Sequence, residues 1–284
     1  MRWSGHVDRR QLLAATGLLA LAACTPGGAA PAPPAPPSGD TDDRLTYGEH
    51  PSQFVDVWRR NGSGAPVGTV VLVHGGFWQQ EYDLTSLEPL AAAARQRGWD
   101  VASLEYRRVG GGGGFPATFD DVAAGIDALA NWLRTPDVVT LGHSAGGHLA
   151  VWAAGRRWST RPAWSSSAVR ISAAISLGGV LDLQAAHDEV LGNGSADQLM
   201  GGPPDDTWPL ADPTAQIPLG VPVRCVHARD DDLVPFSQSF DYVERATAAG
   251  TDATLTEVAG GHFEAIDPGT VAGRTVLDLL DATA

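Results

Sequence analysis

Three short segments of this 284-residue chain carry side chains whose types and spacing could perform acyl transfer. The first is Gly142-His143-Ser144-Ala145-Gly146, which follows an apolar run and opens a helical pattern. A serine on a tight strand-to-helix turn needs small neighbours on both sides, and the helix N-terminus beneath it favours developing negative charge. With 34 glycines in the chain, the bare spacing has roughly 0.2 chance occurrences; its place between strand and helix gives it weight. The second segment, His74-Gly75-Gly76-Phe77-Trp78, follows a β-branched run. Glycines there would let backbone N–H groups approach an oxyanion, and the expected donors are Gly76, Phe77 and Ala145. His74 reads as a brace for this loop, and Trp78 as either a substrate-pocket wall or core.

The third segment is found by chain order, since a base and its orienting acid must follow the serine as acid, then histidine. Of the eight histidines only His148, His187, His227 and His262 follow Ser144, and only His262 also follows the acidic cluster Asp230-Asp231-Asp232. His143 and His148 read as residues that orient the helix, and Cys225 as a buried thiol. The tryptophans at 152, 158, 164 and 208 could line a pocket, with core packing as the default.

These segments need a scaffold. Residues 54–58 alternate as an antiparallel edge strand would, and 69–73 is a continuous β-branched run typical of a strand buried on both faces. Helix over 84–97 with Gly98 as its stop, strand 101–104, a mobile loop at Gly110–Gly114, helix 119–133 and strand 138–141 follow. Helix 145–156, strand 173–177, strand 223–227, helix 236–249, strand 254–258 and helix 271–280 complete the alternation. Such a pattern predicts an α/β fold with a mainly parallel sheet covered on both faces, and reactive groups at the carboxyl ends of its strands. Residues 182–220 show no period, and 182–214 is the candidate lid.

The first forty residues differ in kind. Arg2, Arg9 and Arg10 precede an apolar run from Gln11 to Ala23, and Leu21-Ala22-Ala23-Cys24 resembles a bacterial lipoprotein box. Arg9-Arg10 before Gln-Leu-Leu also resembles a twin-arginine signal. The expectation is a signal peptide over 1–23, lipidation at Cys24, a Pro/Gly/Ala-rich linker over 24–43, and a hydrolase domain over 44–284 tethered to the outer face of a bacterial cell membrane.

Composition narrows the rest. The net charge is −14 and all 19 basic residues are arginine, without a cationic run, which argues against nucleic-acid binding. Two cysteines exclude a disulfide-stapled scaffold and a cysteine-ligated zinc site. The remaining histidines lack ligand spacing, so neither a metal nor an organic cofactor is expected.

The segments 74–78, Gly142–Ala150 and Gly261-His262-Phe263, with Tyr106-Arg107, Phe115-Pro116 and Asp120, resemble the α/β-hydrolase superfamily of esterase/lipase type. The nearest branches are the kynurenine formamidase-like and bacterial feruloyl-esterase-like ones, and the likeness covers roughly residues 50–282. It implies the acid in a Gly-x-x-Asp-x-x-Val-Pro context. Here Ala228-Arg229-Asp230-Asp231-Asp232-Leu233-Val234-Pro235 matches with Asp231, Ala228 replacing the glycine and Asp230 the alternative. The expected activity is hydrolysis of small or medium carboxylic esters through Ser144, Asp231 and His262, with an amide or formamide hydrolase as runner-up. A non-catalytic surface binding module is the distant third.

Overall fold

The computed structural model describes residues 41–284. Among them, eight strands form one sheet: β1 (Asp43–Thr46), β2 (Phe54–Trp58), β3 (Thr69–Val73), β4 (Asp100–Leu104), β5 (Asp137–His143), β6 (Arg170–Leu177), β7 (Val223–Ala228) and β8 (Ala253–Val258). Their spatial order is β1-β2-β4-β3-β5-β6-β7-β8, parallel from β4 to β8, with β1 and β2 joined antiparallel at one side.

The helices alternate with these strands: α1 (Glu88–Gln96), α2 (Ala117–Asp127), α3 (Ala145–Gly155), α4 (Pro162–Ser165), α5 (Leu183–Asp188), α6 (Leu191–Met200), α7 (Ser237–Ala248) and α8 (Val271–Asp281). Successive strand side chains point to opposite faces, so a five-residue apolar run serves two cores. In β3, Val71 and Val73 join the core under α2 and α3, while Val70 and Leu72 join the one under α1 and α8. Helix α3 is buried along its whole length. That explains its alanines, glycines and leucine without a polar face. By contrast α8 buries Ala272, Val276, Leu277 and Leu280, one stripe of an amphipathic helix.

Three expectations are corrected. Residues 54–58 are not an edge strand, because β1 pairs outside them. Asp56 is buried and accepts from the Arg44 guanidinium at 2.6 Å. The Gly110–Gly114 run is a hydrogen-bonded turn, with the Arg108 carbonyl accepting from the N–H groups of Gly111 and Gly113. Residues 182–214 are not irregular. They form α5, α6 and 3-10 turns whose Leu183, Ala196, Leu199 and Trp208 sit in the core. The period was hidden by Val190, Gly192, Asn193 and Gly194, which all adopt left-handed backbone at the start of α6.

Candidate active site

Strand β5 ends at His143 and α3 starts at Ala145, leaving Ser144 alone on the corner with φ 56° and ψ −124°. A non-glycine residue at such angles is held there by its surroundings. Its own N–H donates to the Leu177 carbonyl at the end of β6 (2.8 Å). The flanking glycines are sterically required. A Cβ at Gly142 would lie 2.0 Å from the Gly146 carbonyl oxygen, and one at Gly146 would lie 2.0 Å from that of Val73.

The loop after β3 lies against this corner, since a Cβ on Gly75 would come within 2.9 Å of the Ser144 Cβ. Gly76, Phe77 and Trp78 have φ of 104°, 51° and 57°. This run of left-handed backbone turns successive N–H groups to one side. Among the described residues, no protein acceptor takes the N–H of Gly76, Phe77 or Ala145. Behind the loop the His74 ring stacks on Tyr106 at 4.4 Å, and its Nδ1–H donates to the Gly75 carbonyl (2.8 Å). Burial, and next the Arg108 guanidinium, depress the His74 pKa to about 3, so it braces the loop as a neutral ring.

Asp231 follows β7 and His262 follows β8. The His262 Nδ1–H donates to Asp231 Oδ2 at 2.7 Å, with both side chains nearly inaccessible. Asp231 Oδ1 accepts from the N–H groups of Leu233 (2.9 Å) and Val234 (2.8 Å). Burial alone would raise the Asp231 pKa; hydrogen bonds from His227, His262 and the Val234 N–H overcome it and hold the carboxyl well below the usual range. Asp230 and Asp232 are exposed. Room for the pair comes from Gly178 at the end of β6, where a Cβ would lie 3.1 Å from Asp231 Oδ2 and 3.4 Å from His262 Nδ1. Sequence reasoning missed Gly178, which no motif flags.

Ser144 and His262 open onto one cavity of about 380 Å³, with Gly75, Gly76 and Phe77 on one wall and Leu233, Phe263 and Ile266 on another. Glu81, Tyr82 and Asp83 form its rim. His143 lines it too, and its Nε2–H donates to the His262 carbonyl at 2.8 Å. Burial, with His262 nearby, depresses the His143 pKa to about 3, so this ring is a neutral strut between β5 and the His262 loop. The sequence reading assigned it to the helix instead.

Two expectations about the pocket are corrected. Trp78 does not line the cavity; it is buried in the core, where its Nε1–H donates to His148 Nδ1 (3.2 Å). The Trp78 indole lies inward while Phe77 faces the cavity. Nor does any residue of 182–214 line the cavity. Instead the segment is fastened over α3, with His148 Nε2–H on the Ala211 carbonyl (2.8 Å) and Trp152 Nε1–H on that of Leu210 (2.9 Å).

Cys225 is a buried thiol whose pKa burial pushes up to about 12, which suits packing rather than nucleophilic attack. Among the described residues no group of three or more His, Cys, Asp or Glu side chains is placed to hold a metal ion, and no helix is long and apolar enough to cross a membrane. Cys24, the signal segment and most of the linker lie outside the described residues.

Comparison with known proteins adds three findings. The family model BD-FAE matches residues 55–245. Over 118 residues the chain is 30% identical to a kynurenine formamidase of Drosophila melanogaster, covering 39% of this chain and 37% of that protein. Over 250 residues it is 26% identical to Esterase LipC of Mycobacterium tuberculosis (strain ATCC 25618 / H37Rv), covering 79% of this chain and 60% of that protein. The chain thus spans less than two thirds of the length of these curated relatives. Among solved structures, a truncated form of carbohydrate esterase from gut microbiota superposes with a TM-score of 0.72 at 19% identity, covering 88% of this chain and 99% of that one. With the sheet order above, the architecture is the α/β-hydrolase fold.

Proposed function

The chain belongs to the BD-FAE family, and from that premise we propose that it is a serine hydrolase of carboxylic esters with small or medium acyl groups. The observation that carries this reading is the shared cavity. Ser144, on its strained corner, and His262, backed by Asp231, both line it beside N–H groups that no protein acceptor occupies.

In this mechanism His262 Nδ1–H stays on Asp231, which leaves Nε2 as the base. Nε2 takes the Ser144 hydroxyl proton as Oγ bonds to the acyl carbon. The oxyanion so formed is held by the N–H groups of Ala145, Gly76 and Phe77, each donor contributing about 10²–10³ in rate. The imidazolium then protonates the leaving alcohol as its bond to the acyl carbon breaks, giving an ester on Ser144. Water, deprotonated by His262, attacks that ester and regenerates the hydroxyl. No step calls for a metal or organic cofactor.

Glu81 and Asp83 face the cavity, so an anionic substrate would meet two carboxylates, and neutral esters are the expected class. The similarity to a kynurenine formamidase supports a second reading, amide or formamide hydrolysis by the same residues. The box ending at Cys24 supports export and lipid attachment at the outer face of a bacterial membrane. Under that reading Cys24→Ser should move the protein from the membrane to the soluble fraction.

The test is kcat/KM for p-nitrophenyl esters from acetyl to dodecanoyl, with Ser144→Ala as blank. A Ser144-dependent rate peaking at short or medium chains is expected. Equal inactivity of both proteins on every ester would overturn the esterase reading. Turnover of formamides alone would favour the second one, and no turnover with no fluorophosphonate labelling a binding module.

A further inference from the structure

Behind the Asp231–His262 pair lies a second histidine that the mechanism above does not use. His227, in β7, is fully buried, and its Nε2 sits 3.0 Å from the Val234 carbonyl oxygen and 3.3 Å from Asp231 Oδ2. A carbonyl only accepts, so Nε2 bears a proton; that N–H donates to Val234 and lies within ion-pair distance of Asp231 Oδ2. The opposite nitrogen, Nδ1, lies 2.8 Å from the hydroxyl of Ser239, the third residue of α7, itself fully buried. A neutral ring with its proton on Nε2 must accept at Nδ1, so Ser239 donates. Every polar atom of this buried pair is thereby committed, and the chain of donors Ser239 O–H, His227 Nε2–H points one way, at the carboxylate that holds His262.

We infer that His227, fixed in its tautomer by Ser239, is a positioning residue for Asp231: it brings a second N–H to Oδ2 beside that of His262 and disperses its charge. The inference rests on the triad reading of the proposed function. Oδ2 then carries two N–H contacts and Oδ1 two more, from Leu233 and Val234. A carboxylate so gripped has one orientation, the one that directs His262 Nε2 toward the cavity. Without the His227 donor, Asp231 would carry more uncompensated charge and hold the His262 proton more tightly. His262 would then stay protonated, and unable to act as a base, to higher pH. The other ionisable groups around His262 are His143 from β5, Glu264 from its own loop, and Glu81 and Asp83 across the cavity. None of them is altered by changes at position 227.

The experiment measures the rate constant for fluorophosphonate labelling of Ser144 against pH, which needs no knowledge of the natural substrate. The full chain is compared with Ser144→Ala, His227→Leu and His227→Gln. The leucine fills the space without a donor; the glutamine amide can donate from about the Nε2 position. Loss of one hydrogen bond to a charged group predicts about tenfold slower labelling in His227→Leu. Its acid limb should also move to higher pH, and His227→Gln should recover both readouts. If His227→Leu does not fold, Ser239→Ala replaces it, with a smaller fall and a shift of the same sign. Labelling of His227→Leu, or of Ser239→Ala in its place, with the native rate and limb would overturn the inference alone. So would a glutamine variant as impaired as the leucine one, because that marks a merely structural role. A native protein that does not label would overturn the triad reading and this inference together.

Discussion

Acidification from pH 7 to pH 5 should destabilise this protein by several kilocalories, and the structure says through which groups. His74, His143 and His148 are buried around the Ser144 corner, and burial is the leading cause that depresses their pKa values to about 3, 3 and 4. Burial dominates, although each ring's bond to a backbone carbonyl works against it. His148 Nδ1 accepts from the Trp78 indole and His74 Nδ1–H feeds a carbonyl beside the Arg108 cation. In the unfolded chain a histidine titrates near 6.5. Because the folded values are lower, the unfolded state binds protons that the native state refuses, and stability falls as pH drops below about 6.5. Between pH 7 and pH 5 each of the three loses about 2 kcal/mol, about 6 kcal/mol together. Asp212 acts the other way. Burial raises its pKa to about 6, so the native carboxyl gains a proton over this interval while the unfolded one does not, contributing roughly 1–2 kcal/mol. The net expectation is a loss of about 4 kcal/mol, with uptake of about two protons per unfolding event at pH 5. Urea unfolding at pH 7, 6 and 5, followed by tryptophan fluorescence, measures the loss directly. A stability at pH 5 within about 1 kcal/mol of that at pH 7, set against the total of 5–15 kcal/mol usual for a domain, would refute the reasoning.

Other outcomes follow from the same contacts. Asp231→Asn should lower kcat on a neutral ester by about 10⁴, since the amide can present an N–H to His262 and favour the wrong tautomer. The exposed neighbour change, Asp230→Asn, should stay within about twofold; the reverse ranking would move the acid to Asp230. Trp78→Phe leaves His148 Nδ1 without a donor, so urea unfolding should show a loss of about 1–3 kcal/mol. KM along the ester series should not change, and a chain-length-dependent shift would return Trp78 to the pocket. Glu81→Gln and Asp83→Asn, the latter keeping the cap on Thr85 N, should each raise kcat/KM for an anionic ester about threefold relative to its neutral analogue. That is the strength of one unit charge about 6 Å away in water, and the gain should fade in 1 M salt. An unchanged ratio would remove the rim carboxylates from substrate selection.

Much of this fold was legible because parallel strands buried on both faces read as apolar runs and because glycines mark places where the backbone has no room. Both are properties of a few consecutive residues. The run at Thr69–Val73 and the stripe of Val271–Asp281 needed no knowledge of their neighbours. Gly142 is demanded by the Gly146 carbonyl four residues on, whereas the need for Gly146 comes from the Val73 carbonyl on the neighbouring strand. Strand β1 was illegible for the opposite reason. Asp-Arg-Leu-Thr has no strand pattern of its own and is extended only because β2 pairs with it.

The same division runs through the site. Of the three consecutive aspartates, Asp232 could have been set aside from sequence, because an aspartate that caps the N–H groups two and three residues on would there meet Pro235, which has none. Choosing between Asp230 and Asp231 required the turn that follows β7. His143 and the His262 carbonyl it holds are 119 residues apart in the chain. His227 meets Ser239 only because α7 packs on β7. Motifs report what the backbone needs locally, whereas the residues that aim a catalytic base are set by strand register and helix packing. In this fold the candidate residues were therefore readable before the struts that hold them, and substitutions at those struts test the proposed geometry more sharply than removal of Ser144 does.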